Sequence, residues 1–501
     1  MSIFIGVDIG TTHVKVLAVT NEAELLAEEK QSYAIDQPQD GYCEQDAQEL
    51  FNAFLYTFKK VLQNIDVSQL QAVCFSTAYH SIMAVDNEGR PLTKLITWAD
   101  TRSVAYAKQL QHTALGKIIF QHTGTPLHPM SPLCKIAWLR DKLPELFSQA
   151  HKFISFKEYL WYQLFGVYCV DYSVASASGL FNIQQLIWEE EALRFCGIHA
   201  EQLSRPVSPL HTATGLRQHY RETWNLLKDV TFVIGAGDGA LANLGAGAIT
   251  PGVAALTIGT SGAIRRVSNQ PVLDEQGRLF TYLLTDHLYV QGGAMNNGGI
   301  ALQWFVQNFL TQQETEEESI DLFFQSVQKV PAGSDGLVFL PYLLGERAPV
   351  WDAEAKAVFI GIKSSHTRQH FMRAVIEGIC FAMRQLLQLL ETAGTVETIY
   401  ATGGFTRSPV WLQMLADILH KKIVLSSTAD ASAMGAVFMA MHAKGVIRKW
   451  QDVHRLLTCE KAYEPRAAES GLYETNIRVF GHLYEKLKDD FVLLSRQEKN
   501  A

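Results

Sequence analysis

The chain has 501 residues, 48% of them hydrophobic and 19% charged, which is enough apolar material for more than one packed core and too much for a disordered chain. A formal net charge of -8 argues against a general nucleic-acid binder. The 7 cysteines are scattered with no Cys-x-x-Cys or Cys/His cluster, against a zinc or disulfide framework and in favour of a reducing, cytoplasmic setting. The opening residues lead straight into a strand without a basic or apolar leader, and no apolar run is long enough to span a bilayer.

Residues 3 to 30 read as a meander of strands Ile3–Asp8, Val14–Thr20 and Leu25–Lys30, turning at Asn21-Glu22. Leu50, Phe54 and Phe58 then recur at four-residue spacing and predict a helix over Asp46–Val61. A buried strand over Ala72–Phe75 and helices over Ser103–Leu110 and Cys134–Leu143 follow, the last ended by Pro144, which also suits the start of the next turn. The second half repeats the plan: strands Ala254–Ile258, Ala263–Val267 and Leu288–Gln291, a helix over Arg368–Leu390, and a strand Thr398–Ala401. Ser408-Pro409 then combines a hydroxyl cap with proline at the first helical position. Glycine density peaks over Gly245–Pro251, so the chain divides into residues 1–247 and 248–501, each a mixed α/β domain. The acidic run Glu314–Glu318 reads as solvated surface, and the charged tail after Val446 as helix.

Two apolar strands end in Gly-Thr turns: DIGTTHVK, Asp8–Lys15, and TIGTSGA, Thr257–Ala263. Such a turn aims backbone N–H groups and small hydroxyls at one point, which suits phosphate oxygens. Gly10, Thr11, Thr12, Gly259 and Thr260 are the candidates, with Lys15 as a point charge for a phosphate. Asp8 is placed to hold Mg²⁺ through water. An ordinary hairpin with a solvent-facing Lys15 remains open for the first turn taken alone. In GAGDGALANLGAG, Gly235–Gly247, Asp238 sits among small residues after a strand, where it could take a proton from an attacking hydroxyl or simply cap the next helix. Gly403 and Gly404 in GGFTRSPVW suit a nucleotide lying against backbone, and NNGGIALQW, Asn296–Trp304, is a similar glycine-rich helix entry. STAYHS (Ser76–Ser81) and WADTR (Trp98–Arg102) offer His80, Trp98, Asp100 and Arg102 to a polyhydroxylated ligand, or serve the structure alone.

Taken together and in this order, these motifs resemble those of the FGGY carbohydrate kinases, over nearly the whole chain. SPLCKIAWLRD, Ser131–Asp141, and GIKSSHTRQHFMRAVIEG, Gly361–Gly378, resemble the family's two signatures. The resemblance implies two ribonuclease H-like domains of the actin and hexokinase ATPase type with a cleft between them. The first would bind sugar and carry the base; the second would bind nucleotide. It implies ATP as co-substrate, Mg²⁺ as cofactor and Asp238 as catalytic base. Asp8, Thr11, Thr12, Lys15 and Thr260 then lie at the phosphates, and Gly299, Gln303, Gly404 and Ser408 line the nucleotide. His80 and Asp100 match sugar-facing positions, with Tyr79 beside them.

Within the family, LITWADTRS (Leu95–Ser103), FKEYLWYQLFG (Phe156–Gly166), VDYSVASASGLFN (Val170–Asn182), GGAMNNGGIALQW (Gly292–Trp304) and GERAPVWD (Gly345–Asp352) resemble gluconate kinases most. Xylulose kinases carry Gln-Met-His, and gluconate kinases Ala-Met-His, where this chain has Ala78-Tyr79-His80, so Tyr79 departs from both. A sugar acid needs a donor for its carboxylate; Arg102 and Arg347 are the candidates, with Lys157 and backbone N–H groups behind them, and for Arg102 a pairing with Asp100 or a surface acid is the alternative. The expected partners are a small sugar or sugar acid and ATP, without nucleic acid or membrane, and a homodimer is compatible with the sequence. The rivals are another sugar kinase, xylulose first, and a nucleotide-switched binding protein of the actin or chaperone kind, which would need no sugar-facing set.

Overall fold

The computed structural model describes residues 2–226, 229–309, 316–426 and 430–500. It divides into two units: Met1–Ile249 with Val267–Gln291 and Asp430–Leu457, and Thr250–Arg266 with Gly292–Ala429 and Thr458–Ala501.

In the first unit six strands lie in the order Thr212–Ala213, Thr231–Gly237, Leu70–Thr77, Ile3–Ile9, His13–Thr20, Leu25–Ser32. Ile3–Ile9 is antiparallel to His13–Thr20 and parallel to Leu70–Thr77, which in turn runs parallel to Thr231–Gly237. The central strand is buried along its whole length, as a parallel strand covered on both faces must be, whereas the edge strand Leu25–Ser32 is largely exposed and carries Glu28, Glu29 and Lys30. One face is covered by helix Ala47–Gln63 through Leu50, Phe54 and Phe58. Asp46 starts that helix by accepting from the Gln48 and Glu49 amides at 2.8 and 3.1 Å. On the sheet's other side, helix Ala431–Ala443 comes so near that a Cβ at Gly6 would lie 2.2 Å from the Ala433 carbonyl oxygen. This close approach brings a segment from late in the chain to the end of the first strand.

The second unit repeats the hairpin-then-parallel plan. Gly262–Ser268, Val253–Ile258, Thr398–Thr402, Lys422–Ser426 and Cys459–Tyr463 are neighbours in that order. The first pair is antiparallel and the next two pairings are parallel. Helix Arg368–Glu391 packs here with Ala374, Val375, Ile379 and Met383 buried.

The tail after Val446 is not all helix: a 3₁₀ turn Trp450–Arg455 and the strand Cys459–Tyr463 precede helix Ala467–Asn500. That strand pairs antiparallel with Ile423–Ser426. The open edge of a sheet recruits it, a pairing no local period announces. Pro144 opens a helix of its own, Pro144–Gln149. Of the acidic run 314–318, residues 314–315 lie outside the described residues and the rest opens helix Glu316–Val327. No helix among the described residues is long and apolar enough to cross a membrane.

Candidate active site

The Gly10–Thr12 turn closes on itself through the Gly10 amide, which donates to the His13 carbonyl at 3.0 Å. Side chains hold it from around. The Tyr33 hydroxyl donates to the Gly10 carbonyl, Gln45 Nε2 to the Thr11 carbonyl at 2.8 Å, and Trp98 Nε1 to the Thr11 hydroxyl at 2.8 Å. Trp98 is thereby tied to the Gly10–Thr12 turn. Thr12 is exposed, with its hydroxyl 2.9 Å from His13 Nδ1.

Three carboxylates gather beside this turn. Asp8 is buried and accepts from the hydroxyl of Ser76, its neighbour on the parallel strand, at 2.5 Å. Asp238 opens helix Asp238–Gly245, its Oδ1 accepting from the Gly239 amide at 2.6 Å. Asp430 caps helix Ala431–Ala443 by accepting from the Ala433 amide at 3.1 Å. Burial, then the charges of Asp430 and Asp238, push the Asp8 carboxyl well above its usual range, against a smaller opposing pull from Ser76 and Lys15. The Lys15 ammonium lies 3.6 Å from Asp430 and 2.9 Å from Glu28. Asp8 and Asp430 both feel the Lys15 ammonium, and among the described residues no group of three or more His, Cys, Asp or Glu side chains is close enough to ligate a metal, so Asp8 fits Mg²⁺ only through water. Asp430 is absent from the sequence-derived candidates; its only signal is an N-cap aspartate before a run of small residues.

Tyr79 lies against the backbone just before Asp238: a Cβ at Gly237 would fall 2.0 Å from its ring. Its hydroxyl is 2.8 Å from Ser173 Oγ, which also accepts from the Gly237 amide at 3.2 Å. His80 adopts a left-handed backbone, φ 65°, and its Nδ1 is held 2.8 Å from the Ala177 carbonyl, which fixes the proton on that nitrogen. Its Nε2 lies 3.5 Å from the hydroxyl of Tyr282. The Tyr282 ring stands 5.3 Å from Tyr79 and 5.7 Å from His80, so the three form one aromatic wall. Tyr282 comes from a distant strand, Phe280–Leu283, and no local pattern links it to Tyr79.

Asp100 and Arg102 are engaged with each other, the alternative to a sugar-facing role. Asp100 is fully buried, accepting from the Cys43 amide at 2.7 Å and from the Arg102 guanidinium at 2.6 Å. Arg102 also reaches Glu44 at 2.6 Å and lies 3.6 Å from the centre of the Tyr42 ring. Two residues apart in a tight turn, the charges find each other before any ligand does. Lys157 is likewise buried, 3.1 Å from Asp171 and donating to the Ala236 carbonyl at 2.7 Å, beneath the strand end that carries Asp238.

In the second unit the Gly259–Ser261 turn is held by backbone. Gly259 donates to the Ser261 carbonyl at 2.9 Å. The Gly298 and Ile300 amides both donate to Thr260 at 3.1 Å, and the Gly299 amide to Gly259 at 2.7 Å. A Cβ at Gly299 would sit 2.7 Å from the Gly259 oxygen, so helix Gly299–Phe309 can begin this close only without one. Gly259, Thr260, Gln303 and Gly404 are exposed. Gly403, at φ 106°, turns the chain where a Cβ would meet the Ile258 carbonyl at 2.5 Å. A 3₁₀ turn, Gly404–Arg407, separates this pair from helix Pro409–Leu419, which Ser408 caps by accepting from the Trp411 amide at 3.3 Å. Arg347 Nε donates to the Asn296 side chain at 2.8 Å, and its guanidinium reaches the Met295 carbonyl at 3.1 Å. Its neighbour Glu346 is buried, accepts from Asn297 Nδ2 at 3.0 Å and has its carboxyl pushed up to about 7 by burial.

Residues 3–245 match the model of the N-terminal domain, and residues 254–444 that of the C-terminal domain, of the FGGY family of carbohydrate kinases. The chain belongs to that family. It is 37% identical over 505 residues to the gluconokinase of Bacillus subtilis (strain 168), covering 99% of this chain and 98% of the relative. It is 28% identical over 507 residues to the xylulose kinase of the same strain, covering 100% of each. A crystal structure of gluconate kinase from Lactobacillus acidophilus matches with a TM-score of 0.94 at 32% identity, over 98% of this chain and 99% of that one. Ligand-bound xylulose kinase from the same species also matches at 0.94 and 32%, over 99% and 100%. This FGGY kinase therefore phosphorylates a small sugar or sugar acid with ATP, on two domains of the actin and hexokinase ATPase type.

Proposed function

We propose that this kinase transfers the γ-phosphoryl group of ATP to the 6-hydroxyl of D-gluconate, giving 6-phospho-D-gluconate and ADP. The observation that carries the chemistry is Asp238, set at a helix start, near enough to Asp8 for their charges to interact, and directly after Gly237, against which the Tyr79 ring packs. Its carboxylate takes the proton of the 6-hydroxyl as that oxygen attacks the γ-phosphorus and the bond to ADP breaks. The Gly10–Thr12 turn and Lys15 hold phosphate oxygens. Gly259, Thr260, Gly299, Gln303, Gly403, Gly404 and Ser408 serve the nucleotide. Asp8 would hold Mg²⁺ through water, and the ion when bound would supply positive charge at the phosphates. Sugar binding and the base are assigned chiefly to residues 1–247, and nucleotide binding to 248–501, with Tyr282, Arg347 and Asp430 as later residues assigned to the first group. The six cysteines whose side chains are described are free and buried, which supports a reducing, cytoplasmic setting.

Gluconate is favoured over xylulose by the likeness to gluconokinases along the full chain, at 37% identity against 28% for the xylulose kinase of the same strain. Xylulose stays as the second reading, because a xylulose kinase structure matches with the same TM-score of 0.94 as the gluconate kinase. With Arg102 and Lys157 buried in ion pairs, Arg347 is the proposed partner of the substrate carboxylate. Initial rates across gluconate, xylulose, glycerol, ribulose and fuculose decide the substrate; a clear preference for xylulose overturns gluconate and leaves the sugar-kinase assignment standing. If gluconate is used, Arg347→Gln should raise its KM by about 10–100-fold, the loss of a charge-assisted contact, and spare any neutral sugar accepted slowly.

A further inference from the structure

Lys135 is fully buried on helix Pro132–Lys142, and its ammonium donates to three backbone carbonyls: Thr97 at 2.6 Å, His80 at 2.7 Å and Met130 at 2.7 Å. An ammonium has three N–H donors, so this cage of three acceptors matches it fully. The acceptors are not arbitrary places in the fold. His80 ends the Tyr79–His80 part of the aromatic wall and is itself held in a left-handed backbone conformation. Thr97 precedes Trp98, whose indole donates to the Thr11 hydroxyl in the phosphate turn. One charged group thus fixes the loop that carries the wall and the loop that braces the turn. A buried charge costs free energy unless its hydrogen bonds are complete. An apolar residue would fill the same helix position without that cost, but it would withdraw a charged donor from all three carbonyls, of which that of Thr97 keeps the Asp100 amide at 3.2 Å.

We infer that Lys135 is a positioning residue of the phosphotransfer reaction: through the His80 and Thr97 carbonyls it sets the distance between the sugar wall and the phosphate turn. It touches neither substrate. The inference rests on the proposed sugar-binding role of Tyr79 and His80, but not on gluconate itself, so it is tested with whichever sugar the parent enzyme prefers.

Lys135→Met keeps the chain length and removes all donors, and Lys135→Gln keeps two of them. Steady-state kinetics with the preferred sugar, ATP dissociation constants by calorimetry and thermal melts are compared across the parent and both variants. The expected result is a sugar KM raised by about 10–100-fold in Lys135→Met and by less in Lys135→Gln, from the loss of charged hydrogen bonds. ATP affinity should fall less than sugar affinity, because Lys135 reaches the Gly10–Thr12 turn only indirectly, through Thr97 and Trp98, and the nucleotide residues of the second unit do not depend on it. A Lys135→Ala variant should recover part of its sugar affinity with added ethylammonium and none with tetramethylammonium, which has no N–H donor. A folded Lys135→Met enzyme with an unchanged sugar KM overturns the inference. So does an equal loss of sugar and ATP affinity, or failure of every variant to fold, since either result assigns Lys135 to stability alone. A parent that phosphorylates none of the sugars would instead count against the proposed function.

Discussion

The Gly10–Thr12 turn is held by side chains, from Tyr33, Gln45 and Trp98, and has Asp8, Asp238 and Asp430 beside it. The Gly259–Ser261 turn has the same strand–turn–strand frame, yet it is held by the backbone of the helix start at Gly298–Ile300. A side-chain frame leaves room to vary what surrounds the turn, and the first unit uses that room for negative charge. A backbone frame depends on glycine and admits little else. Similar local sequence therefore sits in unequal surroundings, with carboxylates beside the first turn and a backbone frame around the second.

The largest effect should come from removing the base at the first turn. Asp238→Ala is expected to lower kcat by about 10²–10⁴-fold while ATP binding, measured by calorimetry, persists. Near-normal turnover in the folded variant would take Asp238 out of this role and with it the chemical difference between the turns.

Asp8→Asn should lower kcat by roughly 10²-fold, on the scale of other electrostatic groups that act on the transition state. The same change should stabilise the protein at neutral pH. The Asp8 carboxyl is raised in the folded state above its ordinary 3.8, so its contribution to stability is full below that value and falls as pH rises through the folded pKa. The variant lacks this fall, so its melting temperature should exceed the parent's by a margin that grows upward from about pH 4. Mg²⁺ should narrow the margin by stabilising the parent more. A margin that shrinks with rising pH would contradict the charge assignment.

At the second turn, Gly403→Ala tests the backbone frame. A methyl group there meets the Ile258 carbonyl at a φ suited to glycine, so stability should drop by about 1–3 kcal/mol with weaker ATP binding. The smallest effect is expected for Thr260→Val, which keeps shape and removes one hydroxyl: a KM for ATP raised by about 2–10-fold, with folding unchanged. If Thr260→Val costs as much as Asp238→Ala, the second turn does more than grip an anion.

Much of the frame is legible from local pattern. Four-residue spacing of Leu50, Phe54 and Phe58 marks the first helix, and the caps at Asp46 and Ser408 mark helix starts within a residue or two. Both Gly-Thr turns, the pair Gly403-Gly404 and the place of Asp238 at a strand–helix junction are equally local. The gaps share one cause, which is that a side chain's partner was not in view. The sequence leaves open whether Arg102 meets Asp100 or a ligand and shows no partner for Lys157; in space Arg102 pairs with Asp100 and Lys157 with Asp171. The final strand, Cys459–Tyr463, exists because a sheet edge was open to it.

What the sequence alone determined is the set of elements and the backbone turns, because helical and strand periods, caps and glycine's freedom act over a few residues. What only the tertiary structure decided is which charges meet. Asp430 comes beside Asp8 because a helix with small residues can lie close on the sheet at Gly6, and Tyr282 comes beside His80 from a distant strand. Lys135 becomes a fixed charge because three separate carbonyls converge on it. Coulombic and hydrogen-bond energies depend on distance in space and on burial, and neither can be read from separation along the chain.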